Sequence, residues 1–501
     1  MADTQDLPST PHPDYERMAD RWRRCRDLAE GTDAIHKAGE RYLPRHPKER
    51  VEDYDRRALA TEVYNAFART VLAMTGLVCH RPPTLGDDVP AVIRDDHWLD
   101  IDGNGTSGEV FAQRLFDDGM TVGFAGILID YPAVDDPEAI SVAEEEALHL
   151  RPYWVAVRAE DRISWRFTRE GSKTFLSQLV LRETVEEPDG LFKVRMVTRY
   201  RVFRRVVGFD ENGVRVARVT WEIWAPKTTE QGSTLVIESS GTIAKRQTIP
   251  FVAMPIGKKP PLLDLADINL SHYRVSADRR WLMHLACVPI PVRKGYTGPK
   301  GEEMAVGPAL LQDLPKEGSF EWAEVSGSAF VPTGEELKQM ELRMASLGLA
   351  FLQSETRAAE TAEAKRLDSA AQNASLATAA QALETALRQA LQIHAEYLGL
   401  ESGGTVTVNR EFEQTVMSPD VIAALSALET AGQLSLETLL AVLKAGNVLG
   451  EEIDVHEEMR RILKAAADLA DARERAEPNP GDPNQPPPKG GEPGEQLPVA
   501  A

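Results

Sequence analysis

From Leu349 to Leu398 the chain runs for fifty residues with neither glycine nor proline, and the stretch is dense in alanine. As one unbroken helix it would span roughly 75 Å at the standard rise. A compact domain has few places for a rod of that length, so this run decides much of the architecture. The polar patch QSETRAAET, which begins at Gln353, interrupts the apolar pattern early and predicts a kink or break there. Behind it about forty residues remain helical in pattern. Alanine lets helices approach closely and suits packing against identical neighbours; plain helix propensity is the other reading.

The 501 residues, 42% of them hydrophobic, suffice for roughly two to four compact units with real cores. The formal net charge is -21 and the pI about 5.1. Phosphate neutralisation needs clustered Lys and Arg, so a surface that grips nucleic acid throughout is excluded, whereas a protein past which DNA must slide is free to be acidic. Cys25, Cys79 and Cys287 lie far apart without a CxxC pair, which points to a reducing compartment rather than to zinc or disulfides. The N-terminus MADTQDLPSTPHPDYERM has no apolar core, and no later window holds about eighteen uninterrupted apolar residues. A soluble, unsecreted chain is expected.

Asp14 to Glu30 has helical spacing, with Arg21, Arg23, Arg24 and Arg26 forming a face that reads as solvated or salt-bridged. Pro44 and Pro47 interrupt, and YDRRALATEVYNAFARTVLAMTGLVCH resumes a helical pattern up to RPP. GFAGILIDYP reads as a short buried strand closed by Asp130. From Arg151 to Ile249 apolar and polar residues alternate in RPYWVAVR, TFLSQLVLRETVEE, LFKVRMVTRYRVF, VRVARVTWEIWAP and STLVIESSG, with hairpin turns at EEPDG and DENG. In LFKVRMVTRYRVF, Lys193, Arg195, Arg199 and Arg201 share a face that the acidic neighbours Glu183, Glu186 and Glu187 can pair across strands.

A helix of about twenty residues follows, ending at Pro289 and Pro291; the Gly/Pro-rich stretch behind it carries short strands. The next helix begins near TGEELKQMELRM, with Thr333 as cap and Glu336 completing a capping box. Ser418 and Pro419 open a helical hairpin through LSLETLLAVLKAG, and the proline-rich end, EPNPGDPNQPPPKGGEPGEQLPVAA, cannot form a core.

The stretch Asp100 to Phe111, DIDGNGTSGEVF, begins like a calcium loop: Asp100, Asp102, Asn104 and Gly105 stand where ligands and the turn glycine belong. Position twelve is Phe111, however, and Glu109 sits two places early. The expected structure is a turn permitted by Gly103 and Gly105, then a helix with Thr106 or Ser107 as cap. No GxxxxGK[ST], GxGxxG after a strand, HExxH or GxSxG occurs; His456 in HEEMRR lacks a second histidine, and His284 reads as a core residue. No catalytic residue, metal ligand or cofactor is assigned.

Several strings carry a family resemblance: RYLPRHPKE, YNAFARTVLAMTGLVCHRPP, IDGNGTSGEVFAQRLFDDGMTVGFAGILIDYP, RPYWVAVRAEDRISWR, DINLSHYRVSADRRWLMHLACVPIPVRKG and ETAEAKRLDSAAQNASLATAAQALE. Over most of Tyr15 to about Lys464 the chain resembles the portal proteins of tailed bacteriophages, in a branch with a portal-like domain of unknown function. The resemblance implies an α+β, ring-forming portal fold with a helical stem, a β-rich wing, a small α/β clip and a helical crown. Residues 1–264 would be wing, 265–292 stem helix 1, 293–332 clip, 333–352 stem helix 2, 353–360 tunnel loop, 361–402 a long wing helix, 403–475 crown and 476–501 a disordered tail.

It further implies a dodecameric ring at a capsid vertex, a conduit for packaging and ejecting double-stranded DNA without sequence preference. Its partners would be further copies of itself, the terminase large subunit, a head-tail connector or adaptor, and the major capsid and scaffolding proteins, with no membrane. It would reside in the virion, and in the host cytoplasm during assembly, and would not itself be an enzyme. Gln353, Ser354, Glu355, Thr356 and Arg357 would form the channel-facing tunnel loop. Arg293, Lys294, Lys300, Glu302 and Glu303 would serve docking at the clip, and Glu335, Glu336 and Glu341 would line the channel from the stem. The alternatives are a metal-dependent hydrolase or nuclease using Asp100 to Glu109, and another ring-forming virion connector.

Overall fold

The structure, a computed structural model, describes residues 7–132, 148, 150–209, 213–229, 232–243, 246–287, 290–294, 319–323, 330–349, 362–410, 412, 419–445, 448–449 and 453–476. They belong to two compact units, Met1–Phe412 and Glu413–Ala501, of α+β class.

The first unit opens with α1 (Pro13–Glu30). Pro13 supplies a pre-set first helical residue, and His12 Nδ1 accepts the Asp14 N–H at 3.1 Å. Met18, Trp22, Cys25 and Leu28 recur at helical spacing and are buried. The arginine face is used in ion pairs: Arg26 reaches Asp118 at 2.6 Å and Glu160 at 3.0 Å, and Arg24 reaches Asp267 at 2.5 Å. After α2 (Thr32–Ala38), the stretch that reads as one helical pattern divides into α3 (Val51–Leu59) and α4 (Ala66–Cys79). Asn65 makes the division: its Oδ1 accepts the Ala68 N–H at 2.9 Å while its Nδ2 donates to the Leu28 carbonyl at 2.7 Å, fixing a new helix start. The strand β1 (Thr84–Leu85) and helices α5 (Ala91–Asp95) and α6 (Gly108–Val122) follow.

The central layer is a three-stranded antiparallel sheet in which β2 (Phe124–Asp130) lies between β3 (Tyr153–Arg158) and β9 (Phe251–Pro255). Covered on both faces, β2 needs no polar alternation, which is why FAGILI is continuously apolar. A second sheet is an antiparallel meander of β4 (Arg162–Glu170), β5 (Lys173–Pro188), β6 (Val194–Phe209), β7 (Arg215–Thr229) and β8 (Gly232–Ile243), in that order. Gly190 (φ 98°) and Gly213 (φ 74°) occupy the left-handed conformations that the PDG and ENG turns require. Arg195 and Arg199 reach Glu187 at 2.8 and 2.6 Å, and Arg201 reaches Glu183 at 3.6 Å, the cross-strand pairing expected of that basic face. Besides strands of two residues, such as β1, the sequence leaves unread β4, whose alternation is diluted by charge, and β9, which is five residues long.

The helix α7 spans Leu263–Cys287, and β10 (Ile290–Lys294) pairs antiparallel with β11 (Ser319–Ala323). Residues 290–292, expected as the end of a helix, are therefore strand. The helix α8 spans Phe330–Met344 and widens into a π-helical turn, Ala345–Leu349. It starts before the expected cap: Pro332 lies in the first turn, where its missing N–H is harmless, and Thr333 Oγ1 donates back to the Phe330 carbonyl at 3.2 Å. Thr333 is thus inside the helix, and the capping box with Glu336 does not form there. The long helix α9 (Ala362–Tyr397) has 36 residues, about 54 Å at the standard rise. Ala380, Leu383, Leu387, Ala390 and Leu391 bury one side of it in the main core. The strand β12 (Val406–Thr407), within the stretch expected to open the crown, pairs with β1 in the first unit.

The second unit contains α10 (Pro419–Thr430), α11 (Leu436–Ala445) and α12 (Val455–Ala476). Pro419 begins α10 as the sequence predicts. Ser435 Oγ accepts the Thr438 N–H at 3.2 Å, and Asp454 Oδ1 accepts the His456 N–H at 2.8 Å, so each later helix also starts at a capping side chain. The proline-rich tail lies outside the described residues.

Candidate functional site

The helices α7 and α8 run antiparallel, and three contacts fix their register. Gly334 lies against Arg279, with an added Cβ 3.4 Å from its Nη2; His272 Nε2 meets Glu341 Oε1 at 3.3 Å; Gly348 lies against Leu265. The residue numbers in each pair have the same sum, so the two chains stay side by side for about four turns. Buried polar bonds tie α7 to the helices behind it. Asn269 Oδ1 accepts the Phe67 N–H at 3.0 Å while Nδ2 donates to the Tyr64 carbonyl at 2.8 Å. Arg57, 2% exposed, pairs with Glu49 at 2.9 Å and with Asp278 at 3.0 Å. Beyond Arg280 the helix sheds its cover: Met283, His284 and Cys287 are exposed. His284, read as a core histidine, instead stacks on Trp281 at 5.6 Å.

The stem carboxylates named from the sequence fall on α8. Glu335 and Glu336 are exposed, the former 3.2 Å from Lys338, and Glu341 is the partner of His272. Lys338 and Arg343 share the helix and are exposed too, so three carboxylates there face two cations. Arg293 and Lys294 lie on β10, opposite Phe320 and Ser319. Lys294 Nζ is 2.6 Å from Glu321 Oε2, and this pairing holds the Glu321 carboxyl below its usual range. Lys300, Glu302 and Glu303, and the set Gln353 to Arg357, lie outside the described residues.

The carboxylates of the calcium-like loop are engaged with N–H donors. Asp102 Oδ1 accepts from Asn104 N at 2.9 Å and Thr106 N at 3.1 Å; Asp100 Oδ1 accepts from Gly105 N at 2.6 Å, and its Oδ2 from Arg151 at 2.7 Å. Glu109 Oε1 accepts from Trp98 Nε1 at 2.6 Å. Gly103 and Gly105 take φ of 72° and 83°, and Gly108 faces the Trp98 ring so closely that an added Cβ would lie 2.3 Å from it. The loop is a helix entry built on glycine, with Ser107 at the cap position, though no side-chain cap bond forms. Among the described residues no group of three or more His, Cys, Asp or Glu is arranged to hold a metal ion, and no helix is long and apolar enough to cross a membrane.

One polar cluster had no signal in the sequence. His97 Nδ1 and His394 Nε2 are 2.7 Å apart, and Trp154 Nε1 donates to His394 Nδ1 at 3.2 Å. That donation leaves Nδ1 of His394 without a proton, so its Nε2–H donates to His97. Burial lowers the pKa of both imidazoles, that of His394 to about 3; the Arg151 cation acts in the same direction on both and the His97 ring on His394, while Asp96 partly opposes the shift at His97. The three residues come from separate parts of the chain, at no motif spacing. A second such site is Arg162, whose guanidinium lies 3.8 Å from the Phe124 ring and 3.9 Å from the Trp165 ring; burial lowers its pKa to about 10.

Residues 261–398 match the profile of a family described as a domain of unknown function, DUF4055. That span runs from α7 through the strand pair and α8 to the end of α9. No curated protein matches the chain. Among solved structures, a chain of the virion of a native gene transfer agent particle aligns at 12% identity and a TM-score of 0.35, covering 82% of this chain and 98% of that one. A chain from the neck of an empty gene transfer agent particle aligns at 11% identity and a TM-score of 0.35, covering 80% and 96%.

Proposed function

We propose that this chain is a portal subunit: about a dozen copies form a ring at one vertex of a phage-like capsid, and duplex DNA passes through its axis during packaging and ejection. The observation that carries this reading is the antiparallel pair α7 and α8, interrupted by a segment bearing the β10–β11 strand pair and followed by the long helix α9. This order is what the resemblance implies for a stem, a clip and a wing helix. In this reading the stretch 293–332, with Arg293, Lys294, Lys300, Glu302 and Glu303, docks the terminase large subunit and later a connector. Gln353 to Arg357 form the tunnel loop, and Glu335, Glu336 and Glu341 face the channel. The capsid and scaffolding proteins hold the ring at its vertex. The role is mechanical, with ATP hydrolysis left to the motor.

The test is native mass spectrometry with negative-stain imaging of the purified protein, alone and co-expressed with the cognate capsid and scaffolding proteins. Rings of about a dozen copies with a central hole, present at one vertex per particle, are expected. A chain that forms no ring in either setting and is absent from particles overturns the proposal.

A further inference from the structure

The three-stranded and five-stranded sheets pack face to face. Directly paired positions share a face, so Leu128 lies with Val155 and Asp130 with Tyr153; in the other sheet Leu179 lies with Phe203 and Leu181 with Arg201. Leu128, Val157, Leu179, Leu181 and Phe203 close one part of the gap as a buried cluster. Two residues further along β2 and β5 the same inward faces carry Asp130 and Glu183, and there the gap opens into a cleft of about 410 Å³. That volume lies within the range of small-molecule sites, about 300–1,000 Å³. The walls are apolar at Val155, Leu181 and Val185 and charged at Asp130, Glu183 and Arg201.

One guanidinium here serves two carboxylates. Arg201 Nη1 donates to Asp130 Oδ2 at 2.5 Å, and Tyr153 Oη donates to the same oxygen at 2.9 Å. Glu183 Oε1 is left 3.6 Å from Arg201 Nε, beyond hydrogen-bond length, and that buried N–H has no hydrogen-bond partner among the described residues. The other cations nearby are committed: Arg199 to Glu187 at 2.6 Å and Glu238 at 3.4 Å, Arg182 to Asp161 at 3.1 Å. Burial raises the pKa of the Glu183 carboxyl and the Asp130 charge adds to the rise, while Arg201 and Arg199 oppose it. Glu183 keeps 30% of its side chain exposed, so a ligand can reach it. We propose that this cleft binds the ammonium group of an aliphatic amine, with Glu183 as counter-ion, Tyr153 Oη as a second acceptor and the apolar wall along the carbon chain. An ammonium brings three donors and the one positive charge that the two carboxylates lack. A metal ion is the poorer occupant, since among the described residues no group of three ligating side chains is arranged for one. The ammonium can belong to a free amine or to a lysine side chain of a docking protein. The inference stands apart from the portal reading.

Isothermal titration calorimetry of the full chain at about 150 mM salt tests it, with cadaverine, Nα-acetyl-lysine amide and, as the uncharged control, pentanol. One amine per chain is expected, with a dissociation constant on the order of 1 mM, as so few heavy atoms allow. Glu183→Gln keeps the shape and removes the charge, and should weaken amine binding roughly ten- to hundredfold. It also removes a carboxylate that Asp130 repels, so the fold is expected to persist, which a circular dichroism melt verifies. Glu186→Gln, exposed on the opposite face of β5, should bind like the unaltered chain. The pentanol comparison decides the need for charge without any variant. Tighter binding of cadaverine assigns the site to free amines, and tighter binding of the lysine derivative assigns it to a protein partner. No saturable amine binding, or pentanol binding as tightly as the amines, overturns the inference. So does Glu183→Gln binding as the unaltered chain does, or losing no more than Glu186→Gln, because the attraction is then that of an acidic surface at large.

Discussion

The most consequential single residues are buried polar ones with specific partners. His394 and His97 are both neutral in the fold, each held so by burial and by the nearby Arg151 cation. In the unfolded chain each imidazole protonates near its ordinary value of 6.5. The unfolded state therefore binds more protons than the folded state from about pH 6.5 downward, toward about 3 for His394. Folding stability is undiminished above this window and falls as pH drops through it. Between pH 6.5 and 5 His394 alone should remove roughly 2 kcal/mol. His394→Gln cannot protonate there, so its melting temperature should vary less steeply with pH than that of the unaltered chain; parallel profiles would show that the pair does not set the slope. None of this was legible in the sequence, because a contact between residues 97 and 394 leaves no periodicity. The glycines of 103–108 were legible, since a turn entering a helix has local rules, and the Trp98 ring against Gly108 adds a tertiary reason for one of them.

Elements were readable where their signals are local. The hairpins at PDG and ENG, the buried β2 run, the proline-started α10 and the Gly- and Pro-free run that becomes α9 all follow from turn chemistry, periodicity and propensity. Boundaries set by tertiary contacts were not: Asn65 splits a continuous helical pattern by bonding to Leu28, and α8 extends three residues ahead of Thr333. The α7–α8 pair turns on two glycines with opposite roles. At Gly334 an added Cβ meets nothing nearer than 3.4 Å, so Gly334→Ala should gain roughly 0.5–1 kcal/mol from helix propensity. At Gly348 the added Cβ would lie 2.4 Å from Thr70 Oγ1 and 2.9 Å from Leu265 Cδ2, where the π-helical turn passes between α4 and α7. Gly348→Ala should therefore cost about 1–3 kcal/mol. Denaturant melts of the two variants report the contrast, and equal responses would show that the helices do not pack in this register.

At the scale of the whole molecule, charge is the property that the sequence states most plainly and distributes least evenly. The core of the first unit draws on described residues from Met18 to Phe412, and arginines over this span are largely engaged in ion pairs. The excess of carboxylate is thus left for surfaces. On α8 it amounts to Glu335, Glu336 and Glu341 against Lys338 and Arg343, a small imbalance in one chain. A ring would repeat it about a dozen times around one axis, and repetition turns it into a field that DNA inside a channel cannot avoid. If these side chains face the channel, an acidic wall keeps passing phosphates from trading their counterions for protein contacts, and the duplex slides. The triple variant E335Q/E336Q/E341Q should then assemble normally but hold duplex DNA more tightly, by on the order of tenfold at about 50 mM salt, and package it more slowly. The difference should shrink as salt rises, because screening removes the field that the carboxylates supply. Unchanged DNA retention and packaging in intact rings would mean that these three carboxylates face away from the axis, and the channel wall would have to be sought on α7 or in the 353–360 segment instead.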